Sequence, residues 1–125
     1  MAVTIRLDGR EFVTGETVRV AVAARNTTDS PMVIPSSSHA LVFVRLWRYN
    51  GVTWEEVKRY PQAATMIASP WTLPARGWRA FTLHLPVEPD WPTGELLRLT
   101  AELNGRPDAR AGLTITIEPK GPLKE

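Results

Sequence analysis

Residues 40–57 read ALVFVRLWRYNGVTWEEV, and the fold turns on how they pair. Ahead of Asn50 the chain alternates, with Val42, Val44 and Leu46 on one side and Phe43, Arg45 and Trp47 on the other. A period of two is the signature of a strand. Asn50-Gly51 is the strongest short hairpin signal, because both central residues of a type I′ turn take positive φ. A two-residue loop there sets Tyr49 against Val52, Trp47 against Trp54, Arg45 against Glu56 and Val44 against Val57. One face then carries Phe43, Arg45, Trp47, Tyr49, Val52, Trp54, Glu56 and Lys58. The other carries Val42, Val44, Leu46, Arg48, Thr53, Glu55, Val57 and Arg59. Charges are rarely buried unless paired, and pairing Arg45 with Glu56 inside a core is costly. The aliphatic face is therefore the inward one.

Similar alternation recurs along the chain. VTIRL (3–7) places Val3, Ile5 and Leu7 together, and TVRVAVAARN (17–26) aligns Val18, Val20, Val22 and Ala24. Phe81, Leu83 and Leu85 share a side of residues 78–87, as do Leu97, Leu99, Ala101 and Leu103, and then Leu113, Ile115 and Ile117. Turn-forming clusters separate these runs, RPDARAG (106–112) among them, and no 3.6-residue period appears. The pattern predicts an all-β, Ig-like antiparallel β-sandwich of seven to nine strands, with a jelly roll or open barrel as the alternative. Residues 1–125 suit a single domain. Residues 61–77, with three prolines and no period, read as an irregular connection holding a short strand near Met66 or a turn of helix. Residues 119–125 read as a frayed tail.

Four stretches carry a family resemblance: ARNTTDSPMVI (24–34), LVFVRLWRYNGVTWEEV (41–57), TLPARGWRAFTLHL (72–85) and PTGELLRLTAEL (92–103). Together they resemble the intracellular proteinase inhibitor family of bacterial Ig-like domains, over roughly residues 17–118. Leu73, Pro74, Ala75, Arg76 and Gly77 form the Leu-Pro-x-x-Gly turn of that pattern. The resemblance implies an Ig-like fold and, as an expectation, inhibition of a proteinase.

Composition narrows the functional classes. The chain has no cysteine, so disulfides and thiolate metal sites are excluded. Fifteen Lys and Arg against thirteen Asp and Glu leave a formal charge of +2, and the cations are scattered along the sequence. A nucleic-acid interface needs a concentrated basic patch, so none is expected. The N-terminal MAVTIRLDGREF lacks the apolar run of a signal peptide and no later stretch suits a bilayer span. A cytoplasmic or virion-incorporated protein, without membrane contact, is the expectation.

No catalytic, metal or cofactor constellation emerges. His39 and His84 lie 45 residues apart without neighbouring ligands, and His84 falls on the outward side of its strand. Ser36, Ser37 and Ser38 precede His39, but adjacency supplies neither an orienting third group nor an oxyanion site. Glu55 and Glu56 are strand neighbours and point to opposite faces. Asn26 fits a glycosylation sequon yet reads as a turn residue, and Asp90 sits in a proline-rich loop. The expected protein is therefore not an enzyme.

Phe43, Arg45, Trp47, Tyr49 and Trp54, joined by Trp71, form the candidate protein-binding set, since Trp, Tyr and Arg dominate interface hot spots. Three dispositions are open to that face: coverage by Trp71 or Met66 from residues 61–77, contact with a partner, or burial in the main core. The expected function is a non-enzymatic protein-binding module, inhibitor-like or an accessory subunit, that meets a protein partner or a second copy. A structural component of a larger assembly, such as a virion decoration or tail protein, is the alternative.

Overall fold

The computed structural model describes residues 1–36, 40–61 and 70–119. These form ten strands, β1 (Ala2–Leu7), β2 (Glu11–Val13), β3 (Thr17–Arg25), β4 (Met32–Ile34), β5 (Val42–Tyr49), β6 (Trp54–Tyr60), β7 (Trp71–Leu73), β8 (Trp78–Pro86), β9 (Leu96–Leu103) and β10 (Arg106–Glu118). No helix occurs among the described residues. One sheet has the order β1-β3-β8, a second β2-β10-β9-β5-β6, and β4 pairs with β7. The chain is an all-β sandwich, as the alternation predicts. The three-residue strands β2, β4 and β7 take the count past nine, and β2 runs parallel to β10 while the other paired strands are antiparallel.

The core follows the period-two reading. Val18, Val20, Val22 and Ala24 of β3 are fully buried, and they meet Val44, Leu46, Leu97, Leu99, Leu103, Ile115 and Ile117 from the facing sheet. Each fully buried aliphatic side chain of this kind contributes roughly 1.5–3 kcal/mol of transfer free energy.

The central hairpin keeps its predicted faces along β5 and as far as Glu56, with Lys58 and Arg59 exchanged between faces, but not its predicted register. Tyr49, not Trp47, lies opposite Trp54, and Trp47 lies opposite Glu56. The turn sits one residue later than expected. Asn50 N donates to Thr53 O (3.0 Å), while Asn50 Oδ1 accepts from Val52 N and Thr53 N at 2.9 Å each. The asparagine side chain thus closes the loop in place of its own carbonyl, an Asx-type bond. Gly51 has φ +98° and is the one positive-φ residue of this loop, so the type I′ turn, which needs two, is corrected. A Cβ on Gly51 would meet no atom within 4 Å. Gly51→Val should therefore cost only backbone strain, about 1–2 kcal/mol by urea unfolding. Wild-type stability in that variant would contradict the left-handed turn.

Because the register moves by two residues, Trp54 and Glu56 stay on the predicted side. Beyond them a bulge intervenes: Leu46 pairs with Lys58 while Trp47 pairs with Glu56, leaving Val57 as the extra residue. The bulge reverses the facing of the last three residues of β6. Arg59 turns to the Arg45 side, and Tyr60 turns inward beside Val44. Tyr60 is buried, and its hydroxyl accepts a hydrogen bond from Trp91 Nε1 (3.1 Å), with ring centroids 6.2 Å apart. Burial pushes the Tyr60 phenol above its ordinary pKa, opposed by that hydrogen bond. Lys58 Nζ meets Asp90 Oδ2 at 2.6 Å, so the 87–95 loop is tied to β6 at two points.

The connection at 61–77 is not wholly irregular. Residues 70–77 contain β7, which pairs with β4; the short strand or turn of helix expected near Met66 falls outside the described residues. Residues 62–69, Met66 included, lie outside the described residues, as do 37–39 and the tail 120–125. The β9–β10 turn is also relocated, from 106–112 to Asn104-Gly105, with Leu103 opposite Arg106. Asn26 is a turn residue, as expected, and is fully buried. Its Nδ2 donates to Ser30 O, Leu73 O and Pro74 O (2.8, 3.2 and 3.1 Å), and its Oδ1 accepts from Thr28 N and Oγ1.

Candidate functional site

The outward residues of β5 are Phe43, Arg45, Trp47 and Tyr49, and the sheet order extends that row sideways. Trp47 stands opposite Arg98, Arg45 opposite Thr100, and Phe43 opposite Glu102. The next strand sets Thr114, Gly112 and Arg110 against Arg98, Thr100 and Glu102. On the other flank lie Trp54 and Glu56. Five of the six sequence-predicted residues, Phe43, Arg45, Trp47, Tyr49 and Trp54, therefore share one face.

Trp71 does not join them. Its ring packs edge-on against Phe81, 5.9 Å away, and the Arg79 guanidinium lies 5.1 Å from its centroid. Phe81 is on the inward side of β8, so Trp71 closes one margin of the sandwich instead of capping the outward aromatic face. Its membership of the candidate set is corrected on that ground.

The face is a depression of about 530 Å³, walled by Trp47, Trp54, Arg98 and Arg110 and floored by Thr100 and Gly112. That volume lies within the range of small ligand sites. Gly112 makes the floor. A Cβ there would sit 3.2–3.3 Å from the Arg98 guanidine nitrogens and 3.1 Å from Thr100 Cγ2. Trp47 is held by a hydrogen bond from Nε1 to Thr100 Oγ1 (2.8 Å), which fixes the plane of its ring. Trp54 leans on Tyr49, with centroids 5.5 Å apart and planes tilted by 60°.

The charges on this face divide into two groups. Arg45 is held between Glu56 (Nε to Oε1, 3.2 Å) and Glu102 (Nη2 to Oε1, 3.0 Å), and Glu56 also meets Arg59 at 3.4 Å. The Arg45 Nε contact has ion-pair distance without hydrogen-bond alignment, so its attraction is mainly coulombic. Arg98 and Arg110, by contrast, form no ion pair or hydrogen bond from their side chains among the described residues. Two free guanidinium groups thus stand beside two indole rings. That combination can clamp a carboxylate through paired N–H donors while an adjacent apolar group lies on the rings. Sequence reasoning missed Arg98, Thr100, Glu102, Arg110 and Gly112, because they join the hairpin only through sheet order.

No family model matches the chain, and no curated protein matches it. Solved structures do share the fold. Sporulation control protein Spo0M of Bacillus subtilis superimposes with a TM-score of 0.64 at 14% identity, over 94% of this chain and 49% of that one. A β-glucosidase of Listeria innocua, in complex with glucose, gives a TM-score of 0.54 at 15% identity over 93% of this chain. The chain spans about half the length of Spo0M and 16% of that β-glucosidase chain. These likenesses identify a β-rich fold. No described helix is long and apolar enough to cross a membrane.

Proposed function

We propose that the chain is a non-enzymatic protein-binding module that docks through the outward face of its five-stranded sheet. The observation that carries this reading is the pairing of unengaged Arg98 and Arg110 with Trp47 and Trp54 around one depression. Trp, Tyr and Arg concentrate binding energy when a partner desolvates them. Three arginines and one glutamate line the cup, which suits a partner segment that presents a carboxylate beside an apolar side chain. Inhibition of a proteinase is one form this docking takes if the partner segment belongs to a proteinase.

The test is quantitative affinity capture from the source cell with wild type, Trp47→Thr/Trp54→Thr and Arg98→Gln. Thr retains β-propensity while removing the aromatic surface. The double variant should lose roughly 1–2 kcal/mol of stability, mostly the Tyr49–Trp54 cross-strand contact and its neighbours, and should lose the captured partner. Arg98→Gln should keep its stability and weaken capture. An unchanged captured set in both variants would defeat the reading. Light scattering after size exclusion separates the assembly role: a closed oligomer of wild type that dissociates in the double variant favours a structural component.

A further inference from the structure

We infer that the opposite side of the molecule, the outward face of the three-stranded sheet, is a second docking surface, fitted to an acidic protein surface. The register places its residues in rows: Ala2, Arg25 and Trp78; Thr4, Ala23 and Ala80; Arg6, Ala21 and Thr82; then Arg19 and His84. The strands β1, β3 and β8 contain no aspartate or glutamate at all. Arg6, Arg19 and Arg25 are exposed and belong to none of the ion pairs among the described residues, which involve the five-stranded sheet and the loops. Asp8 and Glu16, in the turns that flank β1 and β3, form no ion pair with them.

The side chains between these cations are small: Thr4, Ala21, Ala23, Ala80 and Thr82. Ala21, Ala23 and Ala80 occupy outward strand positions where β-branched and aromatic residues are favoured and alanine is depleted. Departures from local propensity are expected where function outweighs it. A floor of methyl groups lets another surface approach the sheet closely and expel water, which strengthens the charge pairs at its margin. Trp78, 69% exposed at one corner, supplies an anchor.

Charge and spacing select the occupant. Arg19 and Arg25 stand about 20 Å apart along β3, at ~3.3 Å per residue, with Arg6 one strand away. A phosphate backbone or an anionic bilayer calls for denser clusters of cations than three. A two-fold contact with a second copy would set arginine against arginine. A protein face with spaced carboxylates and small apolar groups between them fits both the charges and the floor.

The probe is a random glutamate–tyrosine copolymer, titrated by calorimetry at low and at physiological salt, beside a DNA duplex and phosphatidylserine vesicles. The copolymer should bind, more weakly at the higher salt. Arg6→Gln/Arg19→Gln/Arg25→Gln should weaken it by about tenfold or more, and Ala21→Glu by a similar factor. Arg48→Gln/Arg59→Gln/Arg106→Gln removes the same formal charge elsewhere and should retain binding; every titration uses the Trp47→Thr/Trp54→Thr background, which removes the aromatic cup as a competing site for the copolymer. Equal weakening by the two triple variants, no binding of the copolymer, or tighter binding of duplex or vesicles through the same three arginines would each overturn the inference.

Discussion

Gly105→Ala is expected to remove about 3–5 kcal/mol of stability, roughly 10–20 °C in melting temperature for a chain of this size. Two costs add there. Gly105 has φ +91°, where any Cβ is strained, and the added Cβ would press into the Pro35 carbonyl oxygen and stand 2.7 Å from the Pro35 carbonyl carbon. Both obstacles are backbone, so neither can swing aside. Gly94→Ala isolates the first cost: φ is +72°, but nothing lies within 4 Å of a Cβ there. It should lose only about 1–2 kcal/mol. Thermal unfolding of the two variants side by side checks the difference. If Gly105→Ala is no worse than Gly94→Ala, the β9–β10 turn does not rest on residue 35.

Asn26→Ala should be comparably damaging, about 3–5 kcal/mol. The side chain is fully buried and gathers three carbonyls and two Thr28 donors from two parts of the chain, residues 28–30 and 73–74. Each buried group left without its partner costs ~1–3 kcal/mol. Asn26→Asp sharpens the test by turning two donors into acceptors that face carbonyls. The new carboxylate is disfavoured by burial and by those oxygens, so its folded pKa rises above the unfolded value of roughly 3.9. A raised folded pKa means stability is present at low pH and lost as pH rises through that value. Denaturant midpoints for Asn26→Asp, corrected for the wild-type profile, should therefore fall from about pH 4 to pH 7. A flat corrected profile would show that residue 26 is hydrated.

Much of the fold was legible because it depends on period two alone. Val18, Val20, Val22, Leu97, Leu99 and Ile115 all point inward as their alternation requires. The faces of β5 were legible for the same reason, and parity protected Trp54 and Glu56 when the register moved. What failed was local chemistry that periodicity does not encode. Asn50 closes the hairpin with its side chain, which displaced the turn. The Val57 bulge inserts one residue without a composition signal and turns Tyr60 to meet Trp91. The second Asn-Gly pair, at 104–105, did carry a signal, and the charged run after it drew the turn assignment away. Of the candidate site, the contribution of β5 and β6 was readable. Arg98, Arg110 and Gly112 were not, because long-range strand order decides which rows lie side by side. Arg6, Arg19 and Arg25 look scattered in sequence for that same reason.

The path of the first thirteen residues has a consequence for the edges of both sheets. β1 and β2 are consecutive, yet β1 flanks β3 in one sheet and β2 flanks β10 in the other. One short run of chain therefore covers residues 20–25 of β3 in one layer and residues 116–118 of β10 in the other. Behind it lie β3, nine residues rich in valine, and β10, thirteen residues long. Stripped of their neighbours, both would display rows of unpaired N–H and C=O groups, the template on which strands of another chain add. The N-terminal segment thus acts as a double clasp. Its release would free an edge in each sheet at once, on which borrowed strands add.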